Sequence, residues 1–412
     1  MTSSPTSVAT RAAVPSLLIL AYMSAVGPFG DTEYTPSLPR IARELHVTYG
    51  TAQLTMSSYL LGYALSQLLY GPFSDRFGRK PIMLFGAVMF LIGSIICAMS
   101  PTIRMLIGGR FVQSIGACAG GVIVNAAVRD AFAPAERARM LMKVDVVFAL
   151  APGLGPVAGA FIDNYFGWQA NFMLLALMGA ILLLATALFF PETNHNKNMS
   201  AITPSRIAGN YLIVIENGRF LYHGTLLGIA VAVMYCCLVE APSLVMDTLG
   251  LPSSWFAVVA ATLVVSFMVG TLACGLLERR LRVESRILIG YLIMMAGTIW
   301  MVVVAFGGFV TFWHMMVPIM VVFTGIAFVL PLAAAQAMAP FRDVAGSASA
   351  MLGFLEMGIP SLGTFGVSVL NESPAKDMAV SFLVLCGVAL ILIAFGSLLE
   401  ARGVTLESAP EE

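Results

Sequence analysis

Charge is what this 412-residue chain has least of: Asp, Glu, Lys and Arg together make 11% of it, against roughly 25% in an ordinary soluble domain. A water-facing surface cannot be built from so few ions, so most of the surface must meet lipid. Acids and bases also balance at 22 each, which leaves no basic field to attract a nucleic acid. Histidine is reduced to His46, His195, His223 and His314, scattered without ligand spacing and read as structural or surface residues, so no metal site is expected. The six cysteines (Cys97, Cys118, Cys236, Cys237, Cys274, Cys386) all lie inside apolar runs with no C-x-x-C pair, which argues against a disulfide framework or a cysteine metal site. No P-loop, G-x-S-x-G elbow or H-E-x-x-H motif occurs. ATP hydrolysis within the chain is thereby excluded, and neither an enzyme nor a bound cofactor is expected.

Apolar residues are what the chain does have, at 59% and with a mean hydropathy of +0.90. About twenty apolar residues carry a helix across the hydrocarbon of a bilayer. On that rule spans are predicted near 14–35, 52–73, 81–99, 103–128, 138–163 and 168–190, then near 219–245, 254–277, 285–306, 310–337, 345–370 and 378–399. The first run has the look of a secretory signal, but the unbroken series behind it makes it the first of about twelve spans. The predicted fold is therefore an all-α membrane protein with the lipid bilayer as its partner. The one long polar stretch, 191–218, divides residues 1–190, a first six-helix bundle, from residues 219–412, a second bundle with a short tail.

Lysine and arginine set the orientation, because loops on the cytoplasmic side retain them. With the N-terminus inside, the inner loops and ends collect Arg11, Arg76, Arg79, Lys80, Arg129, Arg137, Arg139, Lys143, Lys197, Arg206, Arg219, Arg279, Arg280, Arg282, Arg286, Arg342 and Arg402. The outer side keeps only Arg40, Arg43, Arg104 and Lys376. Both termini are thus expected in the cytoplasm of a bacterial inner-membrane protein. The halves also echo each other. Glu33-Tyr34-Thr35-Pro36-Ser37-Leu38 closes span 1 and Glu240-Ala241-Pro242-Ser243-Leu244 closes span 7, while Pro152-Gly153-Leu154-Gly155 in span 5 answers Pro360-Ser361-Leu362-Gly363 in span 11. Two related halves enclosing a midplane site are the architecture of alternating-access transporters.

The loop between spans 2 and 3 reads Gly71-Pro72-Phe73-Ser74-Asp75-Arg76-Phe77-Gly78-Arg79-Lys80. It resembles the G-x-x-x-D-R-x-G-R-[RK] signature of the major facilitator superfamily. Its charges need partners at the membrane boundary, and Gly71 is a position for close helix approach. The resemblance implies a latch that holds the two halves together in the outward-facing state, with Asp75 facing the N-terminus of span 11 and Arg79 paired with Asp130. The second-half copy near Gly275 and Glu278-Arg279-Arg280 is degenerate. In span 4, Arg110 and Gln113 share a helix face and match the family's R-x-x-Q pattern. An arginine inside a span is costly unless paired or hydrated, so it reads as functional, the alternative being a side chain that snorkels outward over about two turns. Pro152, Gly155, Pro156 and Gly159 in span 5 look like the G-P-x-x-G motif of proton-coupled antiporters, against the plainer reading of a packing helix. Pro36-Ser37-Leu38-Pro39, Trp168 with Phe172, and Pro191-Glu192-Thr193 make the chain similar to the drug:H+ antiporter branch, and within it to the bicyclomycin/chloramphenicol-resistance (Bcr/CflA) multidrug exporters. The likeness is much stronger before residue 195.

Proton coupling needs a carboxylate whose affinity for protons is raised by burial and lowered again by substrate or an arginine. Asp31, Glu33, Asp145, Glu240 and Glu356 are the candidates within or near spans. Asp31 and Glu33 stand about 200° apart on a helix and cannot share one cavity. The resemblance places an acid at Thr32, and either flanking acid can take its part; Asp31 lies at the depth of Arg110, where an ion pair is expected. Glu356 falls near the midplane and reads as cavity-facing, Glu240 nearer the outer rim. Asp145 reads as a structural partner of Lys143, Arg129 or Arg139. Tyr59, Tyr63 and Tyr235 either line the cavity or pack between helices, and Asn125 reads as an interhelical hydrogen bond. The 25 methionines suit either an adaptable apolar pocket or membrane-core filling. The expected function is proton-coupled export of small apolar, cationic or zwitterionic compounds by a monomer, with a substrate-specific carrier of a metabolite or siderophore as the alternative.

Overall fold

In the structure, a computed structural model, residues 14–341, 344–370 and 372–401 are described; Arg11, Arg342, Arg402 and the tail lie outside them. The described residues form fourteen α-helices. Twelve are long: α1 (Leu17–Thr32), α3 (Tyr49–Phe77), α4 (Arg79–Ala98), α5 (Ile103–Ala131), α6 (Pro134–Phe166), α7 (Trp168–Phe189), α9 (Gly218–Ser243), α10 (Phe256–Leu277), α11 (Val283–Gly307), α12 (Phe312–Met338), α13 (Ala345–Ser368) and α14 (Pro374–Ala401). Two are short: α2 (Leu38–Glu44), and α8 (Pro204–Ile215) within the stretch read from sequence as a plain polar linker. Ten of the long helices are both long and apolar enough to cross a bilayer. The other two are α1, which has only 16 residues, and α3, which carries Gln53, Thr55, Ser57, Tyr59, Tyr63, Ser66 and Tyr70 on buried faces. These polar groups point into the molecule, so α3 crosses the membrane without an apolar surface all round.

Local chemistry sets the helix ends. Ser16, Thr48, Thr102 and Asn217 cap α1, α3, α5 and α9 by accepting a backbone N–H. Gly78 and Gly167, at φ of 107° and 85°, make the tight breaks before α4 and α7 that a side chain would strain. Several helices run past their predicted spans, α3 and α6 most clearly, because capped helical turns continue beyond the hydrocarbon where the apolar signal has stopped.

Packing repeats between the halves. In the first, α4 lies on α5 and α7, α5 on α3, and α1 on α5 and α6; in the second, α11 lies on α12 and α14, α12 on α10, and α9 on α12 and α13. The tightest seams are lined by glycine: a Cβ on Gly86 would overlap that of Ala119, and one on Gly116 would overlap the Phe90 backbone. The halves meet where α3 packs along α13 and α6 against α10, a pair of contacts that the same pseudo-symmetry exchanges. With twelve crossings the described chain begins and ends on one face, called here the terminal face, and α2 lies on the opposite, distal face.

On the distal side the halves are bonded together. Arg43 pairs with Asp247 at 3.2 Å, Tyr49 donates to the Val239 carbonyl, and Ser57 and Thr364 share a hydrogen bond of 2.8 Å. On the terminal side the first four turns of α6 are exposed or partly exposed nearly all round, Val144 being buried. Exposure on nearly every side means that little of the neighbouring helices covers this stretch of α6. The described hydrogen bonds and ion pair that join the halves cluster on the distal side.

Candidate functional site

Arg110 is fully enclosed, with no exposed surface. Its Nη1 donates to the Gly30 carbonyl at 2.8 Å and to Gln113 Oε1 at 2.6 Å, and its Nη2 to the Asp31 carbonyl at 3.5 Å. The guanidinium carbon stands 4.1 Å from the ring centre of Tyr34 and 4.0 Å from that of Tyr59. Gln113 donates onward to Ser94 Oγ at 2.7 Å, and Ser94 to the Phe90 carbonyl at 2.7 Å. Arg110 therefore does not snorkel. Nor does it form the expected ion pair: no described carboxylate bonds it. α1 ends at Thr32, so the carbonyls of Gly30 and Asp31 lack intrahelical partners and form the negative end of the helix, and they take the cation instead.

Asp31 points elsewhere. Its Oδ2 accepts from the Tyr235 hydroxyl of α9 at 2.7 Å, across the junction of the halves, and its buried Oδ1 has no partner. Glu33 turns to α6, and neither of its oxygens finds a donor. A Cβ on Gly155 would crowd Thr32 and the Glu33 backbone, and one on Gly159 would overlap the Glu33 carbonyl. The glycines of the antiporter-like run thus seat the end of α1 against α6, while Pro152 and Pro156 lie inside that helix. Glu240 is 2% exposed; its Oε1 accepts from Gln53 of α3 at 2.7 Å, a second buried link between halves, and its Oε2 is free of partners.

Glu356 lies midway along α13, partly exposed and without a bonded partner among the described residues. Asp145 is exposed on the terminal half of α6 and makes none of the expected ion pairs with Lys143, Arg129 or Arg139. Asn125 is likewise exposed, and its amide bonds the Gly121 carbonyl of its own helix at 3.0 Å rather than another helix. Tyr63 stacks at 6.4 Å from Tyr59.

The loop before α4 is built differently from the expected latch. Arg79 bonds Asp75 at 2.7 Å and Asp130 at 2.9 Å. No bond joins Asp75 to the described N-terminus of α13, and nothing stands within 4 Å of where a Gly71 Cβ would be. The link from this loop to α13 is therefore not made among the described residues. Arg76 donates to the Met199 carbonyl at 3.0 Å, and Glu192 accepts from the Arg79 backbone N–H at 2.9 Å, which pins the 191–203 segment to this loop. The pairings of Gln53 with Glu240 and of Glu192 with α4 were not foreseen. A polar residue in an apolar span was the available sign for Gln53, but sequence does not say which residue it meets.

Comparisons agree with this architecture. A sequence profile described as "Major Facilitator Superfamily" matches residues 17–364. The chain is 26% identical over 386 residues to the "Bicyclomycin resistance protein homolog" of Haemophilus influenzae, covering 91% of this chain and 93% of that one. It is 28% identical over 409 residues to the "Chloramphenicol resistance protein" of Pseudomonas aeruginosa, covering 96% and 95%. The fold is similar to that of a D-xylose-proton symporter, at a TM-score of 0.72, 13% identity and coverage of 91% and 96%. It is also similar to a bacterial homologue of the human lysosomal transporter Spinster, at 0.71, 14%, 96% and 98%. The packing of two matched six-helix halves and the profile match over most of the length lead to one conclusion: the chain belongs to the Major Facilitator Superfamily, a family of multi-pass membrane transporters for small molecules.

Proposed function

We propose that this transporter exports small apolar, cationic or zwitterionic compounds in exchange for protons, as a monomer in a bacterial inner membrane with both termini in the cytoplasm. The terminal face is then the cytoplasmic one and the described conformation is open inward. Residues 1–190 and 219–412 act as two bundles that rock about the α3–α13 seam, joined by the 191–218 linker. The observation that carries the reading is Asp31: a carboxylate buried at the junction of the halves, tied to the opposite half through Tyr235, with one oxygen unpartnered and the Arg110 cation held by the backbone carbonyls of Gly30 and of Asp31 itself. Protonation alters that link directly, so proton binding and the relation of the halves are coupled at one group. Glu356, in the cleft from the second half, is the counter-charge for a cationic substrate. The names of the resistance proteins above support efflux of drug-like compounds; the acids at Glu240 and Glu356 equally suit a specific carrier of a cationic metabolite.

The test is transport in liposomes. A panel of cationic and neutral compounds should accumulate in vesicles whose lumen is more acidic than the bath, and not when a protonophore removes the gradient. Asp31→Asn should retain exchange of substrate down its own gradient and lose accumulation driven by the pH gradient. Undiminished pH-driven accumulation in that variant would rule Asp31 out as the coupling group.

A further inference from the structure

The two halves differ at a place where their symmetry calls for likeness. In the first half the start of α4 is closed by acids: the Glu192 carboxylate accepts from the backbone N–H groups of Arg79 at 2.9 Å and Lys80 at 3.3 Å, and Asp75 and Asp130 hold the Arg79 side chain. Among the described residues no carboxylate bonds the matching start of α11, although Glu284 stands exposed in its first turn. Its N-cap residue is Arg282, and no side chain caps it. Three residues into the helix stands Arg286, only 7% exposed. It lies one turn before Gly290, on the face where a Cβ on Gly290 would press against Phe328 and Gly325 of α12. Its Nε is buried with no acceptor, and no described residue accepts a hydrogen bond from its guanidinium.

A side chain in the first turn leans back towards the N-terminus of its helix. The Arg286 cation and the uncapped N–H groups of α11 therefore converge on one point at the terminal face. Arg279, Arg280 and Arg282 are exposed around it, with Glu278 and Glu284 as the exposed acids, and Arg219 reaches Gln336 at the neighbouring end of α12. A guanidinium with its Nε buried and without an acceptor is costly, and helix N–H groups beside a guanidinium are the donor set that binds phosphate. Basic pockets between helices at the cytoplasmic surface take lipid head groups by the same chemistry.

We propose that the start of α11 and Arg286 form a binding site for a single phosphate group, presented by the head group of an anionic phospholipid or as free phosphate. The site lies outside the Asp31 and Glu356 region and does not depend on the transported compound.

The full-length protein, stripped of lipid in a neutral detergent, is titrated with phosphatidylglycerol, phosphatidylcholine or inorganic phosphate and followed by intact-complex mass spectrometry and thermal unfolding. One phosphatidylglycerol should be retained per chain and should raise the unfolding temperature more than phosphatidylcholine does. Arg286→Gln should weaken that retention about tenfold or more, whereas Arg280→Gln, an exposed neighbour, should not. Saturable stabilisation by inorganic phosphate that needs Arg286 supports the site with free phosphate as its ligand. Equal retention by wild type and Arg286→Gln, or no saturable response of the wild type to either anion, overturns it. If Arg286→Gln is not recovered folded, Arg286→Lys decides: weaker retention than wild type supports the site, and unchanged retention overturns it.

Discussion

Arg110 shows how a buried charge can be held by neutral groups. Two orphaned carbonyls, one amide oxygen and the rings of Tyr34, Tyr59 and, farther off, Phe172 surround it, and no described carboxylate bonds it. Desolvated cation–π contact is worth about 2 kcal/mol or more, and each carbonyl left bare by its removal costs about 1–3 kcal/mol. Arg110→Ala is therefore expected to abolish transport and to lower thermal stability measurably. Arg110→Lys, which keeps the charge but lacks the fork that reaches Gly30 and Gln113 together, should regain most of the stability and little of the transport. A melting and liposome assay in which Arg110→Ala behaves as wild type would remove Arg110 from the mechanism. Glu356 makes a contrasting case, since it is partly exposed midway along α13 and has no bonded partner among the described residues. Glu356→Gln should insert and melt normally but release fewer protons on addition of a cationic substrate. Release equal to that of wild type would exclude it as a substrate counter-charge.

Among the elements, α1 and α6 are the most tightly constrained pair. Gly155 and Gly159 let α6 lie directly on the end of α1, where Asp31, Thr32 and Glu33 sit. Gly159→Ala forces a Cβ into the Glu33 carbonyl, and such overpacking typically costs about 1–3 kcal/mol. Because α1 also carries the carbonyls that hold Arg110, its displacement should reduce pH-driven transport at least tenfold while leaving the protein inserted. Gly153→Ala, where nothing stands within 4 Å, serves as the matched control and should be near wild type. If both variants transport alike, the motif is merely a membrane helix rich in small residues. The distal end of α9 is a second special element: Pro242 and the π turn Leu244–Thr248 interrupt its helix just beyond Glu240. Irregular turns of this kind recur at functional sites, and this one carries Asp247 to Arg43.

For the whole molecule, alternating access requires that the distal closure break. The bonds holding it are few and polar: Arg43 with Asp247, Gln53 with Glu240, Tyr49 with Val239, Ser57 with Thr364. Such links exchange for water at modest cost, and the close approach of Gly50 to the Ser368 backbone on this side must part with them. A cysteine pair at Arg43 and Asp247, placed in a background free of the six native cysteines, should cross-link on oxidation. Transport should then stop and should return with reductant. Full transport by the cross-linked protein, judged by gel shift, would show that this face need not open.

Much was legible without coordinates, for identifiable reasons. Bilayer thickness fixes the length of an apolar run, so the number of spans and the polar break at 191–218 follow from hydropathy alone. The 71–80 loop and the glycine-proline run of α6 carry residue spacing that survives in one dimension. Arg79 with Asp130 was foreseen on that ground. Partnerships across the halves were not: Asp31 with Tyr235 and Glu240 with Gln53 join residues about two hundred positions apart, and hydropathy says nothing about which faces meet. The expected Asp31–Arg110 pair failed for a related reason. Depth in the membrane placed both groups on one level, but the direction of each side chain depends on helix rotation and on where α1 ends. Sequence determined that the chain must cross a membrane repeatedly and which few charges it would carry inside. Tertiary structure decided which groups those charges meet, because helix packing, not burial alone, sets the partner of each.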